Sequence, residues 1–222
     1  SGVMTKILAF WNSTPGKKVV MGATGLIMIG FLVMHMLGNL QAFQGPAKLD
    51  GYGALLHGPL HEVVLLLRVV LLVSLVLHLV AATQLTLLDR AARPVGYARK
   101  VPQAATPASR TLRVGGVLLL VFIVFHLLHF TTGQVHPDFI EGSVYHNLIA
   151  GLAPPLVAMF YLVSMAGIGL HVYHGAWSSF RSLGAWASKP DPLHRPVARV
   201  LAAAVWLGFS IIPVAVLLGW LR

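Results

Sequence analysis

Five stretches of this chain, near residues 19–42, 63–88, 112–132, 153–177 and 198–221, are each apolar over twenty residues or more. A helix needs about 20 such residues to cross the roughly 30 Å of hydrocarbon in a bilayer, and a lipid-exposed backbone has to satisfy its hydrogen bonds internally. The expected fold class is therefore all-α, an integral membrane five-helix transmembrane bundle forming a single membrane domain over residues 1–222. The mean hydropathy of +0.79 and the 10% share of charged residues point the same way. The first stretch is too long for a removable signal peptide and lacks a small-residue cleavage site, so it reads as a span.

The formal charge of +10 would suggest a nucleic-acid partner until the charges are located. Lys6, Lys17 and Lys18 precede the first span, Arg90, Arg93, Arg99, Lys100, Arg110 and Arg113 lie between the second and third or at the start of the third, and Arg181, Lys189, Arg195 and Arg199 between the fourth and fifth or at the start of the fifth. The other side has Lys48 and Arg222, with Asp50, Glu62, Asp138 and Glu141. The excess of Lys and Arg on one side predicts a cytoplasmic N-terminus and a C-terminus outside. The basic charge is thus mainly a topology signal, with a lipid membrane rather than nucleic acid as its partner. A smaller part of it suits anionic lipid or the acidic face of a cytoplasmic partner.

Several chemistries are excluded. The absence of cysteine removes disulfides, thiolate nucleophiles, cysteine-ligated iron–sulfur clusters and covalent c-type haem. Neither a GxGxxG turn nor a P-loop is present, so nothing suggests a nucleotide or flavin site.

The eleven histidines are the chemically informative residues. His35, His78, His126, His129, His171 and His174 fall within spans, and an intramembrane ionisable residue demands a partner that lipid does not offer. The stretch FIVFHLLHF, residues 122–130, carries two of them one turn apart. The first four spans each supply at least one histidine, and the fifth supplies none. Two bis-histidine haems explain this economically, because a ligated imidazole gives one nitrogen to iron and donates its other N–H to an acceptor.

Depth suggests the pairing. His35 and His126 lie on the order of 20–25 Å from the cytoplasmic border, and His78 and His171 roughly 15 Å from it. His35 therefore pairs with His126 toward the outside, and His78 with His171 toward the cytoplasm. The same histidines would also suit three different roles. They serve only packing in a haem-free structural anchor, or they hold a metal ion, for which the spans' interiors lack a carboxylate, or they line a transporter, which the scarcity of intramembrane acids disfavours. Met34 and Met36 flank His35 but do not share its direction, and they read as packing residues. The glycines near these positions, Gly22, Gly25, Gly30, Gly115, Gly116, Gly167, Gly169 and Gly175, suit either a flat macrocycle or close helix packing.

FLVMHMLGN around His35, LVSLVLHLV around His78, RVGGVLLLVFIVFH ending at His126 and GLHVYHGAWSSF around His171 resemble, in order and spacing, the four ligand segments of a known family. This is the five-helix, diheme cytochrome b subunit of succinate dehydrogenase and of the related fumarate reductases, and the similarity covers nearly the whole chain. The resemblance implies a multi-pass anchor in the bacterial cytoplasmic (inner) membrane with two haem b groups held by His35 with His126 and by His78 with His171. It implies flavoprotein and iron–sulfur subunits docked on the cytoplasmic side, with the succinate-oxidising site on the flavoprotein and not on this chain. It also implies a quinone, menaquinone, as the substrate that this subunit reduces, in a succinate:quinone oxidoreductase or in a quinol:fumarate reductase.

Further expectations attach to single residues. Glu62, His61 and Tyr145, with His57 and His146, are expected near the outer haem as the quinone and proton site, since reduction needs hydrogen-bond donors at the quinone carbonyls. His129 and His174 are expected to hydrogen-bond a haem propionate, a quinone or a neighbouring helix. Arg90 and Arg181 are expected at propionates or at the partner's surface, and Arg68 either snorkels outward or meets a propionate of the outer haem. Some relatives carry a glutamate two residues before the ligand of the fourth span, where this chain has Gly169, so a proton path through that carboxylate is not expected.

Overall fold

Ser13, Thr14 and Pro15 start the first long helix. The Ser13 hydroxyl accepts from the Gly16 N–H at 3.0 Å, and Pro15, which has no N–H to leave unbonded, occupies the first turn. In the computed structural model, which describes residues 2–91, 107–184 and 194–222, this capped helix α2 runs Thr14–Leu40 after a short α1 at Gly2–Asn12. The others are α3 at Pro46–His57, α4 at His61–Ala91, α5 at Pro107–His126, α6 at Val144–Leu152, α7 at Pro155–Ser182 and α8 at His194–Leu217. No strand occurs among the described residues. Five helices, α2, α4, α5, α7 and α8, are long and apolar enough to span a membrane, so the chain is an all-α, multi-pass bundle.

The span ends differ from the sequence expectation for identifiable reasons. Lys17 and Lys18 suggest a border near residue 19, yet α2 begins at Thr14. Lys17 is only 6% exposed because its ammonium donates to the Trp11 carbonyl at 2.8 Å and lies over the Trp11 ring, so the charge is satisfied by α1. The fourth span is expected from 153, but Pro154 and Pro155 interrupt the helix and separate α6 from α7. The third span extends past His126 as a π turn, Leu127–Thr131, with the Thr132 N–H bonded to the Leu127 carbonyl at 2.9 Å. Arg93, Arg99, Lys100 and Lys189, which carry part of the expected basic loops, lie outside the described residues.

α7 is the central element, packed against α8, α5 and α2, while α2 in turn carries α4. Its buried residues include Tyr161, Ser164, Met165, Ile168, Gly169 and Val172. Among the described residues, helices α4 and α5 do not pack face to face. At one end of that open side Arg113 of α5 donates to Asp89 of α4 at 3.0 Å, an exposed pair worth at most about 1 kcal/mol. Met36 is buried with its sulfur against Gly208 of α8, as expected of a packing residue.

The opposite end is closed by α3 and α6. Tyr52 of α3 lies where a side chain on Gly38 would go, and Val144 of α6 against Gly53. The Asp50 carboxylate accepts from the Tyr145 N–H at 2.8 Å, tying α3 to the start of α6. At Gly151 an added Cβ would lie 2.8 Å from both His136 and Phe130 and 3.0 Å from His129. Gly151→Ala is therefore expected to cost about 1–3 kcal/mol through overpacking. Thermal denaturation of the detergent-solubilised protein checks this: a fall of several degrees in Tm is expected, and an unchanged Tm would mean that the ring cluster yields freely.

Candidate functional site

Four of the long helices, α2, α4, α5 and α7, bring histidines together as two pairs. His35 of α2 and His126 of α5 have ring centroids 5.8 Å apart with planes at 84°. His78 of α4 and His171 of α7 have centroids 6.2 Å apart with planes at 60°. Two imidazoles that bind one metal through nitrogens about 2.0 Å from it keep their centroids roughly 6 Å apart. Both pairs have that separation, and all four rings are partly buried.

The surroundings of His78 decide its tautomer. Its Nδ1 lies 3.1 Å from the Met21 carbonyl, which only accepts, so Nδ1 carries the hydrogen and donates it. Thr24 stands 3.3 Å from the same nitrogen while its hydroxyl donates to the Val20 carbonyl at 2.7 Å. His78 Nε2 is left with a bare lone pair, the state a metal requires. Its partner His171 has a buried Nδ1 with no hydrogen-bond partner among the described residues, and so does His174 one turn on. An orphaned buried polar atom costs on the order of 1–3 kcal/mol.

The glycines divide. Gly30, Gly115, Gly116 and Gly175 have nothing within 4 Å of an added Cβ, whereas Gly22 meets the Ser179 backbone at 3.4 Å and Gly169 meets Trp206 at 3.1 Å. Gly169 thus packs against α8, and a glutamate side chain there would run into Trp206. An apolar recess of about 280 Å³ opens between α5 and α7, lined by Gly115, Leu118, Gly167 and Leu170, with His171 as its polar group. Gly25 faces the His78 ring, its added Cβ lying 3.6 Å from Cε1 and 3.5 Å from the Ser179 hydroxyl. Alanine fits there in ordinary contact, but leucine would drive His78 off its bond to Met21. Gly25→Leu is expected to abolish, and Gly25→Ala to retain, binding of any chromophoric group that the His78–His171 pair would hold, as read from absorbance of the purified protein.

Near the His35–His126 pair, His129 sits in the π turn and is fully buried. It bonds a neighbouring helix, its Nδ1 2.9 Å from the Tyr161 hydroxyl of α7, and the same hydroxyl lies 3.3 Å from His126 Nδ1. His129 stacks at 5.0 Å on His136, whose Nε2 donates to the Asn147 carbonyl at 2.8 Å and whose Nδ1 accepts from the Asp138 N–H at 3.0 Å. Tyr161, Thr24 and Asn147 are participants that no sequence signal singles out.

The residues expected at the quinone site have these partners. His61 and Glu62 are adjacent and exposed, with His61 Nδ1 and Glu62 Oε1 3.7 Å apart. The Tyr145 hydroxyl instead donates to the Arg222 carbonyl at 3.3 Å, and no hydrogen bond or ring contact joins it to His61 or Glu62. His57 Nδ1 donates to the Gly53 carbonyl within α3, and His146 Nε2 bonds the Asp138 carboxylate at 3.0 Å. At the other end of the bundle Arg181 and Arg195 lie 5.8 and 5.3 Å from the Trp177 ring. Arg90 is exposed, and Arg68 is exposed on α4 without an ion-pair partner among the described residues. Compared with protein-family models, curated proteins and solved structures, the chain matches none.

Proposed function

We propose that this chain is the diheme cytochrome b membrane anchor of a succinate dehydrogenase-type complex in the bacterial cytoplasmic membrane. The observation that carries the reading is the convergence of four helices on two histidine pairs with metal-bridging ring separations. The residues fit haem b. His78 has its Nε2 lone pair free, His171 is the polar group of an apolar recess, and Gly30, Gly115, Gly116 and Gly175 leave backbone open to a flat apolar group.

When bound, the two haems supply one-electron carriers at different depths of the bilayer. His78 and His171 hold one toward the cytoplasm, where α1, Arg90 and Arg181 form the face offered to the iron–sulfur and flavoprotein subunits. His35 and His126 hold the other toward the outside. The Met21 carbonyl and the Tyr161 hydroxyl orient the ligand rings from outside the coordination sphere. His61 and Glu62, exposed at the start of α4, would supply a hydrogen-bond donor and a carboxyl group that passes protons from water to a menaquinone reduced near the outer pair. Tyr145, spent on the Arg222 carbonyl, stays a weaker member of that set unless its hydroxyl is released.

Purification of the chain from solubilised membranes of its own cells tests this. The expected result is a complex with flavoprotein and iron–sulfur subunits in which succinate reduces the haem and then a menaquinone analogue. A haem-bearing chain that carries neither subunit and stays oxidised with succinate would overturn the assignment.

A further inference from the structure

Tyr161 is 7% exposed in the middle of the bundle, held on three sides by Phe122, Phe125 and Phe130. A phenol so buried needs a hydrogen-bond partner, and this one has two that compete for the same role. Its oxygen lies 3.3 Å from His126 Nδ1 and 2.9 Å from His129 Nδ1, and it carries one hydrogen. The chain of bonds therefore has a direction. If His126 Nδ1–H donates to the phenol oxygen and the phenol donates to His129 Nδ1, His126 Nε2 is bare and able to bind iron. If the direction is reversed, the hydrogen of His126 sits on Nε2 and blocks it.

We propose that Tyr161, held in direction by His129 as its acceptor, is a positioning residue that fixes His126 in the iron-binding tautomer. The inference rests on the diheme reading above and deepens it, since it distinguishes the roles of two histidines one turn apart. His126 is the ligand, because it is the one that faces His35 at 5.8 Å. His129 is the anchor of the tyrosine, fixed by ring contact with Phe130 at 4.2 Å, Phe125 at 5.2 Å and His136 at 5.0 Å. Donation from His126 Nδ1 gives the ligand partial imidazolate character, which favours the ferric state. The same direction leaves a hydrogen on the buried Nε2 of His129, for which no described residue provides an acceptor.

The test uses the full complex, with the outer haem identified as the component lost in His35→Ala. Tyr161→Phe removes the acceptor of the His126 N–H with little change of shape. It is expected to keep both haems, raise the outer haem's midpoint potential, alter its low-spin EPR signal and leave the inner haem unchanged. His129→Leu frees the phenol to donate to His126 and is expected to lower outer-haem occupancy, by about 10–100-fold in affinity if it behaves as an outer-sphere partner. His129→Gln, whose amide oxygen still accepts, is expected to restore it. An outer haem with unaltered content, potential and EPR signal in both Tyr161→Phe and His129→Leu would overturn the proposal while leaving the diheme reading intact. Absence of haem from the unsubstituted protein would overturn both.

Discussion

On the proposed diheme reading, alanine at His78 is expected to lower the haem content from two per chain to one and to interrupt electron flow from the iron–sulfur side to quinone. The expectation follows from the local chemistry of α2 and α4. The His78 Nδ1 is committed to the Met21 carbonyl at 3.1 Å, so Nε2 is the nitrogen left for iron, and His171 faces it at 6.2 Å. His78→Ala would remove one of the two imidazoles that would hold the group, leaving His171 as the remaining member of the pair. His174 is not expected to substitute, because it follows His171 by one turn on the same helix, α7, and would approach from His171's side. Insertion should survive the substitution, since the hydropathy of α4 does not depend on one residue. Redox titration of purified His78→Ala protein checks this. One remaining component is expected, and two components with the parental potentials would remove His78 from the ligand set.

The second large effect is expected at His126. On the same reading, His126→Ala should abolish the outer haem and quinone reduction, while the inner haem remains reducible by succinate. The nearby His129 is not a substitute. Its ring is fixed by Phe125, Phe130 and His136, and its Nδ1 is engaged by Tyr161. Moving it toward His35 would require the π turn to rewind and the rings around Gly151 to separate. The measurement is a dithionite-minus-succinate difference spectrum together with quinone reduction. If His126→Ala kept the outer haem and His129→Ala lost it, the two roles would be exchanged.

The sequence and the structure agree where the physics is one-dimensional. Five runs of apolar residues longer than a bilayer are legible because length and hydropathy suffice to define them. α3 and α6 are less legible, since each is short and bounded by Gly or Pro, and they pack on each other although nearly a hundred residues separate them. The relative positions of His35, His78, His126 and His171 along their helices suffice to pair them, and they follow from counting. Their partners do not, because the Met21 carbonyl that orients His78 is a backbone atom 57 residues away, and Tyr161 reads in sequence as one more apolar residue among Phe160, Leu162 and Val163. An intramembrane tyrosine 32 residues from His129 is visible only once α5 and α7 are packed together. The hydrogen bonding of Tyr145 has the same origin: its hydroxyl engages the Arg222 carbonyl, 77 residues away, which the sequence does not signal.

The most direct test of the diheme assignment is the haem content of the isolated protein. The complex should be purified in mild detergent without haem loss, quantified as polypeptide, and assayed as the pyridine haemochrome alongside a dithionite-reduced difference spectrum. Two haem b per chain with a b-type α-band are expected. A complex free of haem would contradict the assignment and would make His35, His78, His126 and His171 packing residues of a structural anchor.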